Sequence, residues 1–131
     1  MPKEIKQKVT FNASVWTIYN ALMDPKTHEE FTGGKARISS KVGGAFSTYD
    51  GYSSGVNVQL VRGERIVQAW RGADWPEGVY SIVTFELKEL GPDKCSLTLT
   101  QYGVPDKLHD GIVEGWKSYY WTPMKMWLKS K

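Results

Sequence analysis

Two histidines, one cysteine and a pair of carboxylates around a tryptophan are the residues of this chain best equipped for chemistry. His28-Glu29-Glu30 puts acids beside an imidazole but lacks the second histidine that a zinc-binding helix needs, and His109 stands far off in sequence. Both histidines are therefore expected at the surface. Cys95 has no Cys or His beside it and opens a strand, the setting of a structural thiol and not of a nucleophile. Asp74 and Glu77 flank Trp75-Pro76, and two carboxylates near an aromatic ring could act as an acid/base pair, with Tyr119 as a further participant. The same residues fit a turn anchored by its indole, or a loop that offers Trp75 and Glu77 to a protein partner. There is no Gly-x-Ser-x-Gly and no glycine-rich nucleotide fingerprint. Gly43-Gly44 leads into a strand, so it cradles no phosphate. No catalytic residue, metal or cofactor is assigned.

The elements that would position these residues follow from periodicity and punctuation. Glu4 to Phe11 alternates as a first strand. Asn12-Ala13-Ser14 caps a helix carrying Val15, Trp16, Ile18, Tyr19, Leu22 and Met23, and Asp24-Pro25 ends it. Pro25 opens a second short helix to about Phe31. Glycine-marked turns then separate strands expected at about Lys35–Ser40, Ala45–Tyr49, Val56–Arg62, Arg65–Arg71, Val79–Leu90 and Cys95–Tyr102. Val83, Phe85 and Leu87 oppose Thr84, Glu86 and Lys88, and Leu97 and Leu99 oppose Thr98 and Thr100, the mark of a half-buried antiparallel sheet. A last helix is expected over Asp106 to Leu128, with Leu108, Ile112, Trp116, Tyr119, Tyr120, Pro123 and Trp127 as its buried stripe. Pro123 removes a backbone donor within it, so a kink or break is expected near Tyr119–Thr122.

The order β-α-α-β-β-β-β-β-β-α over residues 1–131 describes one α+β domain whose curved sheet wraps around the last helix. Six Trp and seven Tyr give it a large aromatic payload, which either fills the core or lines a space between sheet and helix. The net charge of +3 is dispersed, with no run of like charges, which argues against a nucleic-acid arm. Nothing approaches the length of a membrane helix, Met1-Pro2-Lys3-Glu4 lacks the apolar stretch of a signal peptide, and the lone cysteine allows no internal disulfide. A cytoplasmic location is expected, with neither membrane nor nucleic acid as partner.

Several segments together resemble the family of activators of the heat shock protein 90 ATPase, in its C-terminal, START-like domain (SRPBCC superfamily). The resemblance runs over nearly the whole chain. It rests on Phe31-Thr32-Gly33, Gly43-Gly44-Ala45-Phe46, Asp50-Gly51, Gly55 and Trp70. It continues through Trp75-Pro76-Glu77-Gly78, Val83-Thr84-Phe85, Gly103-Val104-Pro105 and Gly115-Trp116-Lys117-Ser118-Tyr119-Tyr120. The Trp-Pro-Glu-Gly loop followed by Gly-Trp-x-x-Tyr-Tyr is its specific part. The resemblance implies a helix-grip fold and a non-enzymatic module associated with a heat shock protein 90-type chaperone or with stress. The alternative it implies is a carrier or sensor of a small apolar ligand between sheet and helix, and, third, an enzyme of unknown reaction in that cavity. The residues expected to line such a pocket are Phe46, Trp70, Phe85, Trp116, Tyr119, Tyr120 and Met124. Trp75 and Glu77 are expected to face a partner.

Overall fold

A computed structural model describes residues 4–131; Met1-Pro2-Lys3, part of the stretch expected to carry no signal peptide, lies outside the described residues. Seven strands form one antiparallel sheet in the order β1-β7-β6-β5-β4-β3-β2. They are β1 (Ile5–Phe11), β2 (Arg37–Ile38), β3 (Ala45–Thr48), β4 (Ser53–Val61), β5 (Arg65–Gly72), β6 (Ser81–Gly91) and β7 (Lys94–Tyr102). The helices are α1 (Val15–Met23), α2 (Pro25–Thr32), α3 (His109–Trp116) and α4 (Thr122–Lys129), with Lys117–Trp121 wound as a π-helical turn between the last two. This is the expected α+β helix-grip arrangement.

Local chemistry sets the early helices as read from sequence. The Ser14 hydroxyl accepts from the Thr17 amide and the Asp24 carboxylate from the Thr27 amide, each satisfying a donor that the first helical turn leaves free. Gly33, at φ 78°, closes α2 in the left-handed conformation. The alternation in β6 and β7 holds as well: Val83, Phe85, Leu87, Leu97 and Leu99 are buried on the concave face.

The strand expected over Lys35–Ser40 shrinks to Arg37–Ile38, because side chains capture the backbone at both of its ends. Asp50 Oδ1 accepts from the Lys35 amide at 3.0 Å. On the other side Asn57 Nδ2 donates to the carbonyls of Ser39 (2.7 Å) and Lys41 (3.1 Å), holding that stretch as a turn. β4 begins earlier than expected, at Ser53, and a register shift between Asn57 and Gln59 bends it.

The last helix departs most from the simple pattern. The expected break near Tyr119–Thr122 is a π turn, in which the Thr122 amide bonds the Lys117 carbonyl five residues back. The wider turn stacks Trp116 over Trp121, with ring centroids 5.8 Å apart and planes 17° from parallel. Trp121, absent from the α-periodic stripe, is thereby buried, whereas Tyr119, expected in the stripe, is 60% exposed. Pro123 has no amide hydrogen for the carbonyl of Tyr119 four residues back, and the Tyr49 hydroxyl donates to that carbonyl instead. α4 then packs on α2, where Trp127 lies 6.1 Å from Phe31.

Gly55 pairs with Trp70 across β4 and β5, and a Cβ there would meet the Ala69 carbonyl oxygen at 1.7 Å and the Phe46 ring at 3.0 Å. The obstacle is backbone and cannot swing aside. Gly55→Ala is expected to destabilise the fold by about 3 kcal/mol, at the upper end of overpacking costs. Urea unfolding of the two proteins checks this, and a change below about 0.5 kcal/mol would contradict it.

Candidate functional site

The sheet and the C-terminal helix enclose a cavity of about 440 Å³ that opens to solvent on one side. Its wall on the sheet side is the turn from Tyr49 to Ser53 and the indole of Trp70; its wall on the helix side is α3 and the π turn. Trp116, Tyr119 and Tyr120 supply the rings of that second wall. Gly111 and Gly115, one helical turn apart, supply its bare backbone. A Cβ at Gly111 would meet nothing within 4 Å, and one at Gly115 would touch only the Tyr119 ring, at 3.8 Å. Two positions of that helix wall thus carry no side chain that would reach into the space.

The aromatic wall is fixed from behind by buried polar groups. Trp116 Nε1 donates to Gln101 Oε1 at 2.8 Å, Gln101 Nε2 donates to Ser81 Oγ at 3.0 Å, and that hydroxyl donates to the Trp70 carbonyl at 3.0 Å. Trp116 also lies 5.6 Å from Trp70, 5.7 Å from Phe85 and 4.8 Å from Tyr120 between ring centroids, in tilted or edge-on contacts. Trp121 Nε1 donates to Gln7 Oε1 at 2.6 Å, and Gln7 Nε2 to the Val113 carbonyl at 3.0 Å, so β1 clamps the same helix.

His28, expected at the surface, is instead 1% exposed. Its Nε2 shares a 3.0 Å hydrogen bond with the Tyr120 hydroxyl, while Nδ1 has no partner. The cause is the position of α2, whose inner face packs beneath the C-terminal helix and carries His28 and Phe31 with it. Burial holds the imidazole down at about 4 and pushes the Tyr120 phenol up to about 12. Tyr49 is raised further still, by burial and by its tyrosine neighbours. These rings are neutral at ordinary pH.

The residues expected in a pocket are distributed over three places. Trp70, Trp116, Tyr119 and Tyr120 line the open cavity. Phe46 and Phe85 lie deeper, around a void of about 20 Å³ that Trp70 and Tyr120 separate from the first. Met124 is fully buried and lines neither space. Sequence reasoning passed over Tyr49, Tyr52, Ser53, Ile112 and the two glycines, all of which line the cavity. The Gly111-x-x-x-Gly115 spacing was the available signal for the helix wall.

Of the residues expected to face a partner, Trp75 is buried, its ring 5.5 Å from Trp70, and Glu77 is exposed. Arg71 holds their loop closed by donating to the carbonyls of Trp75 (2.7 Å) and Pro76 (3.2 Å). Neither Asp74 nor Glu77 lines the cavity, so the carboxylate pair is not joined with Tyr119 there. Among the described residues, no cluster of His, Cys, Asp and Glu is arranged to hold a metal ion, and no helix is long and apolar enough to cross a membrane.

An antiparallel sheet gripping a C-terminal helix, with an aromatic cavity between them, defines a helix-grip protein. Residues 12–129 match the family model described as activator of Hsp90 ATPase homolog 1-like protein, and the chain belongs to that family. It is 33% identical over 115 residues to a Dictyostelium discoideum protein named activator of 90 kDa heat shock protein ATPase homolog, covering 88% of this chain and 30% of that one. A mouse protein named homolog 2 of the same activator is 27% identical over 115 residues, covering 88% of this chain and 34% of its own. The chain thus spans about a third of the length of these relatives. Among solved structures, an HSP90 activator from Plasmodium falciparum superposes with a TM-score of 0.91, at 24% identity and 96% coverage of both chains.

The buried imidazole gives a pH test of this site. A histidine whose pKa falls from 6.5 in the unfolded chain to about 4 in the fold contributes fully to stability above pH 6.5. That contribution is lost as pH falls from 6.5 towards 4, because the unfolded chain takes up the proton first. The loss amounts to about 3 kcal/mol at roughly 1.4 kcal/mol per pH unit. Unfolding free energies of the native protein and His28→Gln, measured by urea titration at pH 7, 5.5 and 4, should converge on acidification. Parallel curves would show that His28 is not held neutral.

Proposed function

We propose that this chain is a non-enzymatic binding module that associates with an Hsp90-type chaperone in the cytoplasm, in a stress-related role. Membership of the activator family supports the reading, and so do relatives that are named for stimulating that chaperone's ATPase. The observation that carries it is the matched span: residues 12–129 fit the model of the activator family, and a protein described as an HSP90 activator shares the fold over 96% of both lengths. The loop pinned by Arg71 presents Glu77 outward in a fixed position, as a charged contact for such a partner. Trp75 would act by holding that loop and not by direct contact. Mixing the purified protein with an Hsp90-type chaperone from the same source should raise ATP turnover and give co-migration on size exclusion. Absence of both at high micromolar protein would overturn the reading.

A second reading, a carrier or sensor of a small apolar molecule, is favoured by the open 440 Å³ cavity, a volume within the range of small-molecule sites. An enzyme in the same cavity ranks third, since no carboxylate or histidine lines it.

A further inference from the structure

We infer that the cavity takes a flat, neutral, polycyclic aromatic molecule of about three fused rings bearing a hydroxyl or carbonyl group, in preference to a flexible aliphatic chain. The inference rests on the small-molecule reading above and specifies its ligand class.

Its basis is the chemistry of the walls. Six aromatic side chains line the space, and ring-on-ring contact adds roughly 0.5–1.5 kcal/mol per pair beyond the area it buries, a gain that an alkyl chain does not receive. Gly111 and Gly115 leave the helix backbone bare, so a planar face can approach closely where any side chain would hold it off. A flexible chain must in addition surrender its rotamer freedom on entry.

Charge selects in the same direction. No Asp, Glu, Lys, Arg or His lines the cavity, and a desolvated ion without a partner is costly. Burial, and after it the adjacent Asp74 carboxylate, raises the Tyr52 phenol to about 12, and that carboxylate disfavours anions in particular. Tyr52 therefore keeps its proton, which it directs to Asp74, and the Ser53 hydroxyl is the group of this wall that can serve a ligand oxygen. The Tyr49 hydroxyl is already committed to the Tyr119 carbonyl.

The backbone around the opening is independently unusual. Tyr49 and Asp50 both lie in the left-handed region, at φ 52° and 57°, a conformation that residues with side chains adopt at a cost. The π turn of Lys117–Trp121 stands opposite them, and π turns recur at functional sites. The left-handed Tyr49 and the π-turn residues Tyr119 and Tyr120 line the same cavity.

The test uses 9-phenanthrol, dodecan-1-ol and dodecanoate as probes, with binding to the native protein and to Gly115→Leu measured by isothermal calorimetry. Leucine at 115 projects into the cavity from a position where its Cβ makes only an ordinary contact, and it favours the helix more than glycine does, so the variant folds. Saturable binding of 9-phenanthrol, weakened about tenfold or more by Gly115→Leu and stronger than that of either chain probe, is the expected result. Tighter binding of dodecan-1-ol or dodecanoate, with the same loss in the variant, would overturn the aromatic class while leaving the carrier reading intact. Failure of all three probes to bind, or binding indifferent to Gly115→Leu, would overturn both.

Discussion

The C-terminal helix is registered on the sheet by the Trp116 indole, whose N–H reaches the amide oxygen of a fully buried glutamine on β7. Gln101 in turn donates to Ser81 on β6, and Ser81 donates to the Trp70 carbonyl on β5, so one chain of hydrogen bonds crosses three strands and ends in the helix. Aromatic packing alone would permit the helix to slide, since ring contacts tolerate many tilts. A buried amide does not, because removing its partner leaves a desolvated oxygen at a cost of about 1–3 kcal/mol. The helix-side wall of the cavity, which Trp116 anchors, descends from that constraint.

The π turn follows from the same demand. Trp116 and Trp121 both carry an indole N–H that needs a buried partner, one on β7 and one on β1. In an uninterrupted α-helix, residues five apart point 140° away from one another, and the two indoles could not face one sheet. The wider turn aligns them. Pro123 makes the turn cheaper by removing a donor from the α ladder, and Tyr49 collects the carbonyl that the proline leaves free. A residue that reads as a helix breaker thus acts as the device that brings a second indole into the core.

These facts explain what could and could not be read from the sequence. The strands with strict alternation, β6 and β7, and the capped helices α1 and α2 are local matters, and local chemistry states them. Pro123 announces a disturbance but not its form, because a kink, a break and a π turn share the same missing donor. Tyr119 and Trp121 exchange places for that reason. His28 misleads differently: its burial comes from the docking of α2 under a helix some ninety residues away, which no neighbouring residue encodes. The cavity was half legible. Trp70, Trp116, Tyr119 and Tyr120 follow from the aromatic stripe and the family resemblance, whereas Tyr49 and Tyr52 belong to a left-handed turn that looks like an ordinary connection.

The glycines of α3 bear most directly on why the space is there at all. Each glycine within a helix costs roughly 0.5–1 kcal/mol against alanine, and neither Gly111 nor Gly115 is enforced by a clash or by a left-handed backbone. Packing and helix formation would both gain from a side chain at either position. Gly55 forms the contrast, because there the neighbouring carbonyl forbids a Cβ outright. Two unforced glycines on the helical face that shares the cavity with Trp70 thus leave that volume open at a cost to helix stability. Behind Trp70 and Tyr120 the packing closes to a void of about 20 Å³, so the larger opening does not continue into the core beneath them.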